Sequence, residues 1–242
     1  MPIFFIESKN IVNDIAYITD KDDLNHVVKV LRKREGEALN LCDGVYDYKA
    51  KILEISKDKI KAAIEEKILN QREPQKDVFL FQSIIKNQKM DIIIQKATEL
   101  GVKVLIPVIS KRVVIDISEK EEKKIQRWQK IAKESQKQCL RPYSPQIQRP
   151  IEIGKVKDFL DELDLLIIPY EKKIERVHLD VEPNINRVGI LIGPEGGFEE
   201  EEIEIFKDLQ KVRIVSLGKR ILRSETAAIS VISIVMHLLG EM

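Results

Sequence analysis

Apolar and polar positions change rhythm once along the chain. Up to residue 69 the apolar residues fall in short runs. Residues 3–6 form an apolar strand, and residues 38–42 alternate before ending on Asp43-Gly44, a hairpin signal. Residues 45–55 and 60–68 continue as strands about a Lys57-Asp58-Lys59 turn. One helix is expected over 20–31, with Thr19 or Asp20 as N-cap and Leu24, Val27, Val28 and Leu31 on one face. Four short strands and one helix predict a small barrel-like module.

Residues 70–76 are polar and contain Pro74, which makes them the expected linker between a domain at 1–72 and a second at 73–242. Beyond it, strands at 78–84, 104–109, 163–168, 188–192 and 212–217 interleave with helices at 89–100, 118–140, 199–209 and 224–239. Gly101 sits where a helix C-cap belongs. Strands alternating with helices predict parallel α/β units. The unbroken apolar run Leu165-Leu166-Ile167-Ile168 suits a sheet covered on both faces. The helix over 224–239 is apolar enough to serve as core or as a subunit interface.

Composition narrows the class. With 43% hydrophobic residues and only 9 prolines and 10 glycines, the chain can build a core, which excludes general disorder. No apolar run reaches the roughly 18–20 residues of a membrane span. The opening Met1-Pro2-Ile3-Phe4-Phe5-Ile6-Glu7 lacks a basic segment, so no secretory leader is expected. Cys42 and Cys139 lie far apart and form no CxxC pair, which excludes a zinc ribbon and a secreted disulfide scaffold. His26, His178 and His237 are isolated, no HExxH occurs, and no metal is expected. These features together predict a soluble cytoplasmic protein. The near-neutral total charge hides an asymmetry. Residues 73–150 carry 16 basic against 9 acidic side chains, and residues 151–242 carry 12 against 18. A basic stretch within a neutral chain fits a phosphate-backbone partner or a solvated helix face.

Two segments carry the candidate chemistry. A buried strand runs into Gly193-Pro194-Glu195-Gly196-Gly197 and then into the acidic residues 199–202. Ligands of open α/β sheets gather at strand carboxyl ends, and glycines there let backbone approach a ligand closely. The loop matches neither GxxxxGK[ST] nor GxGxxG. Its glutamates would repel a phosphate, so a cationic or neutral ligand with hydrogen-bonding edges fits, as does a plain tight turn. The second segment, Leu217-Gly218-Lys219-Arg220-Ile221-Leu222-Arg223-Ser224-Glu225-Thr226-Ala227, again joins a strand end to a helix, with Ser224 as expected N-cap. With Lys219, Arg220 and Arg223 at the junction, it reads as a phosphate or oxyanion site or as a capped helix with solvated charges. The two loops, and a third at Pro169-Tyr170-Glu171, would share one site if their strands are neighbours.

These motifs resemble the RsmE family of 16S ribosomal RNA methyltransferases, in the SPOUT superfamily. The similarity runs over essentially the whole chain: Val30-Leu31-Arg32 with Gly36 and Leu41-Cys42-Asp43-Gly44; Lys89-Met90; Gln95-Lys96-Ala97-Thr98-Glu99-Leu100-Gly101-Val102; Trp128-Gln129-Lys130-Ile131-Ala132; Gln138-Cys139 with Arg141 and Pro145; and both glycine segments. Many family members open with an arginine before the first strand, where this chain has Pro2-Ile3-Phe4-Phe5.

The resemblance implies methylation of a uridine N3 in 16S rRNA or the small ribosomal subunit, with S-adenosylmethionine as cofactor. It implies a homodimer, with a PUA-like N-terminal β-barrel and a C-terminal parallel-sheet SPOUT domain tied in a trefoil knot. It carries cofactor binding onto Pro169, Leu191, Ile192, Gly193, Glu195, Gly196, Gly197, Leu217, Gly218, Ile221, Leu222, Ser224, Thr226 and Ala227. Arg223 is the candidate to stabilise charge on the uracil oxygens. Glu225 is the candidate proton acceptor, or equally a carboxylate favourable at a helix N-terminus. Arg32, Lys33, Arg34, Lys89, Arg112 and Arg141 are candidates to hold RNA phosphates. Three other readings stay open: a non-catalytic RNA-binding factor on the same fold, a related methyltransferase acting on another RNA or another atom, and, for the α/β half, a nucleotide-binding oxidoreductase, against which the absent GxGxxG counts.

Overall fold

The computed structural model describes residues 2–113, 121–172, 179–182 and 184–242. The chain divides into two compact units. One comprises Met1–Glu73 with Lys137–Tyr143, and the other Pro74–Gln136 with Ser144–Met242.

The first unit is a six-stranded sheet in the order β1-β4-β5-β6-β3-β2. Its strands are β1 (Ile3–Phe5), β2 (Ile11–Val12), β3 (Ile15–Ile18), β4 (Ala38–Cys42), β5 (Tyr46–Ile55) and β6 (Ile60–Leu69). Patterning missed β2 and β3, which are too short for alternation to register. The β4–β5 hairpin forms where Asp43-Gly44 placed it. The Asp43 carboxylate accepts from Val45 N–H at 2.9 Å and Tyr46 N–H at 2.7 Å, and Gly44 takes φ +96°. The order leaves β1 and β2 as edges, so backbone pairing does not close the sheet into a barrel.

The helix expected over 20–31 is shorter. Asp20, rather than Thr19, caps α1 (Lys21–Asn25) by accepting from Asp22 N–H and Asp23 N–H, each at 3.0 Å. A π-helical turn follows over His26–Val30. Its wider turn, with more than 3.6 residues, breaks the expected face: Val27 is buried and Val28 exposed. His26 packs edge-on to Phe4.

Residues 137–143 are held on this unit by arginines. Arg72 Nε donates to the Leu140 carbonyl and its Nη2 to Asp47, both at 2.6 Å. Arg141 forks onto Glu73 at 2.6 and 3.2 Å and is itself 4% exposed.

The second unit is a parallel sheet in the order β10-β8-β7-β12-β11-β13, with β9 also paired to β8. The strands are β7 (Asp77–Ser83), β8 (Val104–Ile109), β9 (Gln146–Ile147), β10 (Ile151–Glu152), β11 (Leu165–Pro169), β12 (Arg187–Ile192) and β13 (Val212–Val215). The helices are α2 (Asn87–Glu99), α3 (Glu121–Cys139), α4 (Glu200–Glu204) and α5 (Ser224–Leu238). The two-residue strands β9 and β10 escaped the sequence reading. Helix α4 is far shorter than the expected 199–209, and the first residues of the expected 118–140 helix lie outside the described residues, as does His178.

Both sheet faces are covered, as the apolar strands require. Leu165 and Ile167 enter the core shared with α2, α3 and α5, while Leu166 and Ile168 enter the core built around Phe81, Phe198 and Phe206. Gly189 in β12 leaves room for that second core: a Cβ there would lie 2.6 Å from Leu163 Cδ1 and 2.9 Å from Leu166 Cδ1. Gly101 closes α2 at φ +93°, its N–H donating to the Thr98 carbonyl.

Candidate functional site

Strands β12 and β13, which end in the two glycine segments, are not adjacent. They flank β11, whose own end carries Pro169-Tyr170-Glu171. Three consecutive strand ends therefore gather the three loops, and a cavity of about 290 Å³ opens among them. It is lined by Pro169 and Glu171 from the end of β11, by Ile192, Gly193, Glu195, Gly196 and Gly197 from the end of β12, and by Ile221, Leu222, Ser224 and Ala227 from the segment that enters α5. A smaller recess of about 90 Å³ shares Pro169, Glu171, Ile221, Leu222 and Ala227 and reaches Leu217 and Gly218.

Two of the expected cofactor residues line neither space. Leu191 is buried within β12, and Thr226 is exposed on the first turn of α5. Pro194 and Phe198 line the cavity without having been singled out. Phe198 is buried under Gly193, where a Cβ would lie 3.2 Å from its ring. That contact had no signal in the sequence beyond a glycine facing an aromatic of unknown placement.

Hydrogen bonds from outside the loops fix their shape. Ser224 does not cap α5; Arg223 occupies the N-cap. The Ser224 hydroxyl, withdrawn into the first turn, donates to the Gly193 carbonyl at 2.6 Å and accepts from Gln82 Nε2 at 3.0 Å. Arg112, after β8, donates to the Gly196 carbonyl at 2.5 Å and to Glu199 at 2.7 Å. The Arg112 guanidinium holds the Glu199 carboxyl below the usual carboxylate range. Glu202 is buried, and its carboxylate accepts from the backbone N–H of Lys111 at 2.7 Å and of Glu199 at 2.8 Å. Gly197 takes φ +69°, and a Cβ there would fall 2.4 Å from Glu171 Oε1. The loop is thus a cradle that side chains at these glycines would fill.

The candidate catalytic pair sits beside this wall. Arg223 is exposed, and the Glu225 side chain is 16% exposed. The expected phosphate-binding residues divide. Arg32 and Arg34 are exposed on the first unit, with Arg32 at φ +52°, and Lys33 pairs with Glu37. Lys89 and Arg112 lie at the glycine loop, each paired with glutamates. Arg141 is a correction: buried against Glu73, it presents no guanidinium face to a phosphate. Among the described residues no cluster of three or more His, Cys, Asp or Glu side chains suits a metal ion. Among them, too, no helix is long and apolar enough to cross a membrane.

A parallel sheet with a glycine-loop cavity at its strand ends, accompanied by a small mixed β-unit, defines a class that known proteins share. The family model described as an RNA methyltransferase domain matches residues 71–236, and that of an RNA methyltransferase PUA domain matches residues 18–65. The ribosomal RNA small subunit methyltransferase E of Mesomycoplasma hyopneumoniae is 34% identical over 93% of this chain and 95% of its own length. That of Bacillus subtilis is 30% identical over 98% and 96%. The crystal structure of the Neisseria gonorrhoeae enzyme bound to S-adenosyl methionine superposes with a TM-score of 0.84 at 29% identity, covering 98% of each chain. The chain belongs to the ribosomal RNA small subunit methyltransferase E family.

Proposed function

We propose that this protein transfers the methyl group of S-adenosylmethionine to N3 of a uridine in 16S rRNA, as free RNA or in the small ribosomal subunit. The observation that carries the reading is the cavity at three adjacent strand ends, walled by glycine backbone and by carboxylates instead of a phosphate cradle. The residues fit that cofactor. Pro169, Ile221 and Leu222 offer apolar contact, the backbone at 193–197 offers hydrogen-bonding edges, and Glu171 and Glu195 suit positive charge. The recess beyond Leu222 lengthens the space for an extended ligand.

When bound, S-adenosylmethionine supplies an electrophilic methyl carbon on a sulfonium whose leaving group is a neutral thioether. The protein must place uridine N3 in line with that carbon and take the N3 proton. Glu225 accepts this proton. Arg223, exposed and next in the chain to the lining residue Ser224, stabilises the charge that builds on the uracil oxygens. The target base leaves its stack to reach the cavity.

In the same reading residues 1–72 form a PUA-like RNA-binding module, built on an open six-stranded sheet, and residues 73–242 the methyltransferase domain. Arg32, Lys33 and Arg34 hold phosphates. The link from β13, at the sheet edge, to α5, which bonds the ends of β12 and β7 through Ser224, supports a trefoil-knotted SPOUT domain. Exposed Ile234 and Leu238 on α5 support a homodimer. The protein works in the cytoplasm, with the ribosome.

The test is methylation of small subunits and of bare 16S rRNA, followed by digestion to nucleosides and mass spectrometry. The expected product is 3-methyluridine. A ribose-methylated nucleoside would assign a different target atom, and RNA binding with no methylation would make the protein a binding factor.

A further inference from the structure

One cation at the cavity rim is shared by two carboxylates. Lys89 Nζ, on α2, lies 3.5 Å from Glu195 Oε1 and 3.8 Å from Glu225 Oε2. Both distances exceed the roughly 2.8 Å of a closed ammonium–carboxylate bond, so Lys89 is drawn fully to neither. Glu195 belongs to the cavity wall. Glu225 Oε2 is shielded from water and, among the described residues, has no hydrogen-bond donor within reach. A buried carboxylate oxygen without a donor is rare and calls for a reason. Here its neighbour is an ammonium held back by a second carboxylate.

We propose that Lys89 is a positioning residue for methyl transfer, handed from Glu195 to Glu225 when a cationic methyl donor enters the cavity. The inference rests on Glu225 as proton acceptor in the reading above. A positive ligand against Glu195 competes for that carboxylate and repels Lys89. Among the described residues, Glu225 Oε2 is the other carboxylate oxygen within 4 Å of the ammonium. Closing on it fixes Oε2 and leaves Oε1 to receive the N3 proton; the gain is in placement, since an ammonium partner does not make a carboxylate more basic. Donor binding then completes the base, so the acceptor group is ordered only when a methyl group is present to transfer. Exclusion of water by the bound ligands strengthens the new ion pair.

Calorimetric titration with S-adenosylmethionine and single-turnover methylation of small subunits at saturating donor test this on Lys89→Met, Lys89→Arg, Glu225→Gln and the Lys89→Met/Glu225→Gln double variant. Lys89→Met is expected to slow transfer about 100-fold, the lower range for a disabled general base. It should bind S-adenosylmethionine as tightly as the wild type or more so, because Glu195 loses its competitor. Lys89→Arg should restore most of the rate. The double variant should be no slower than Glu225→Gln, since one residue acts through the other. Weaker donor binding by Lys89→Met with a wild-type rate at saturation would make Lys89 a brace for the loop and overturn the proposal, as would multiplicative losses in the double variant. If the wild type makes no 3-methyluridine, the functional reading fails. The calorimetric arm still decides the competition at Glu195: weaker binding by Lys89→Met overturns it, and equal or tighter binding upholds it.

Discussion

The Ser224 hydroxyl donates a 2.6 Å hydrogen bond to the Gly193 carbonyl while Gln82 Nε2 donates to that hydroxyl at 3.0 Å. Three residues from the ends of β7 and β12 and the start of α5 are thereby locked together, two of them, Gly193 and Ser224, in the cavity lining. Ser224→Ala removes both bonds and leaves the Gly193 carbonyl without this partner. It should destabilise the protein by about 1–2 kcal/mol in urea unfolding. Affinity for S-adenosylmethionine should fall about tenfold, the equivalent of roughly 1.4 kcal/mol. Unchanged affinity with lowered stability would mean that the lock holds the fold and not the loop.

Gly197 occupies the left-handed region, and a Cβ there meets the Glu171 carboxylate. Gly197→Ala adds a backbone cost of roughly 1–2 kcal/mol and pushes Glu171 aside. Because the loop lies outside the strands, circular dichroism should show a folded protein. Calorimetry should show S-adenosylmethionine binding weakened at least tenfold.

Asp43 and Tyr48 give the first unit two pH limits. Burial by itself would raise the Asp43 carboxyl, but hydrogen bonds from Tyr46 N–H, the Tyr48 hydroxyl, Val45 N–H and the Ser8 hydroxyl outweigh it and hold the value low. Its stabilisation is therefore full above about pH 4 and lost as pH falls through the lower folded value. Burial and the Asp43 carboxylate push the Tyr48 phenol up. That contribution is full below about pH 10 and lost as pH rises beyond it. Unfolding free energy measured against pH should fall at both ends. Asp43→Asn should flatten the acid limb, and Tyr48→Phe the alkaline one.

The arginines of the first unit should separate by role. Arg32→Gln removes an exposed cation and should reduce the salt slope of RNA binding by about one. Arg141→Gln breaks the fork to Glu73 and should leave that slope unchanged. It should instead cost roughly 2 kcal/mol of stability, below the range for fully buried pairs because Glu73 is partly exposed. A shallower salt slope for Arg141→Gln would return it to the RNA surface.

Sequence alone determined the long elements and the chemistry of the loops. Strands such as residues 165–168 are continuously apolar because both faces are buried, and that pattern is written locally. The Asp43-Gly44 turn and the glycine end of α2 are equally local, since each depends on a conformation that few residue types adopt. Family motifs then carried the candidate site onto numbered residues. Tertiary structure decided what depends on partners distant in the chain. Strands of two residues form only where a neighbour supplies their hydrogen bonds. Ser224 looked like a cap because caps are recognised from one turn, whereas its acceptor lies 31 positions away. Arg141 looked like a phosphate ligand because charge is visible in sequence and burial is not. The order of β12, β11 and β13, which makes three loops one cavity, belongs to sheet topology, and no local pattern encodes it.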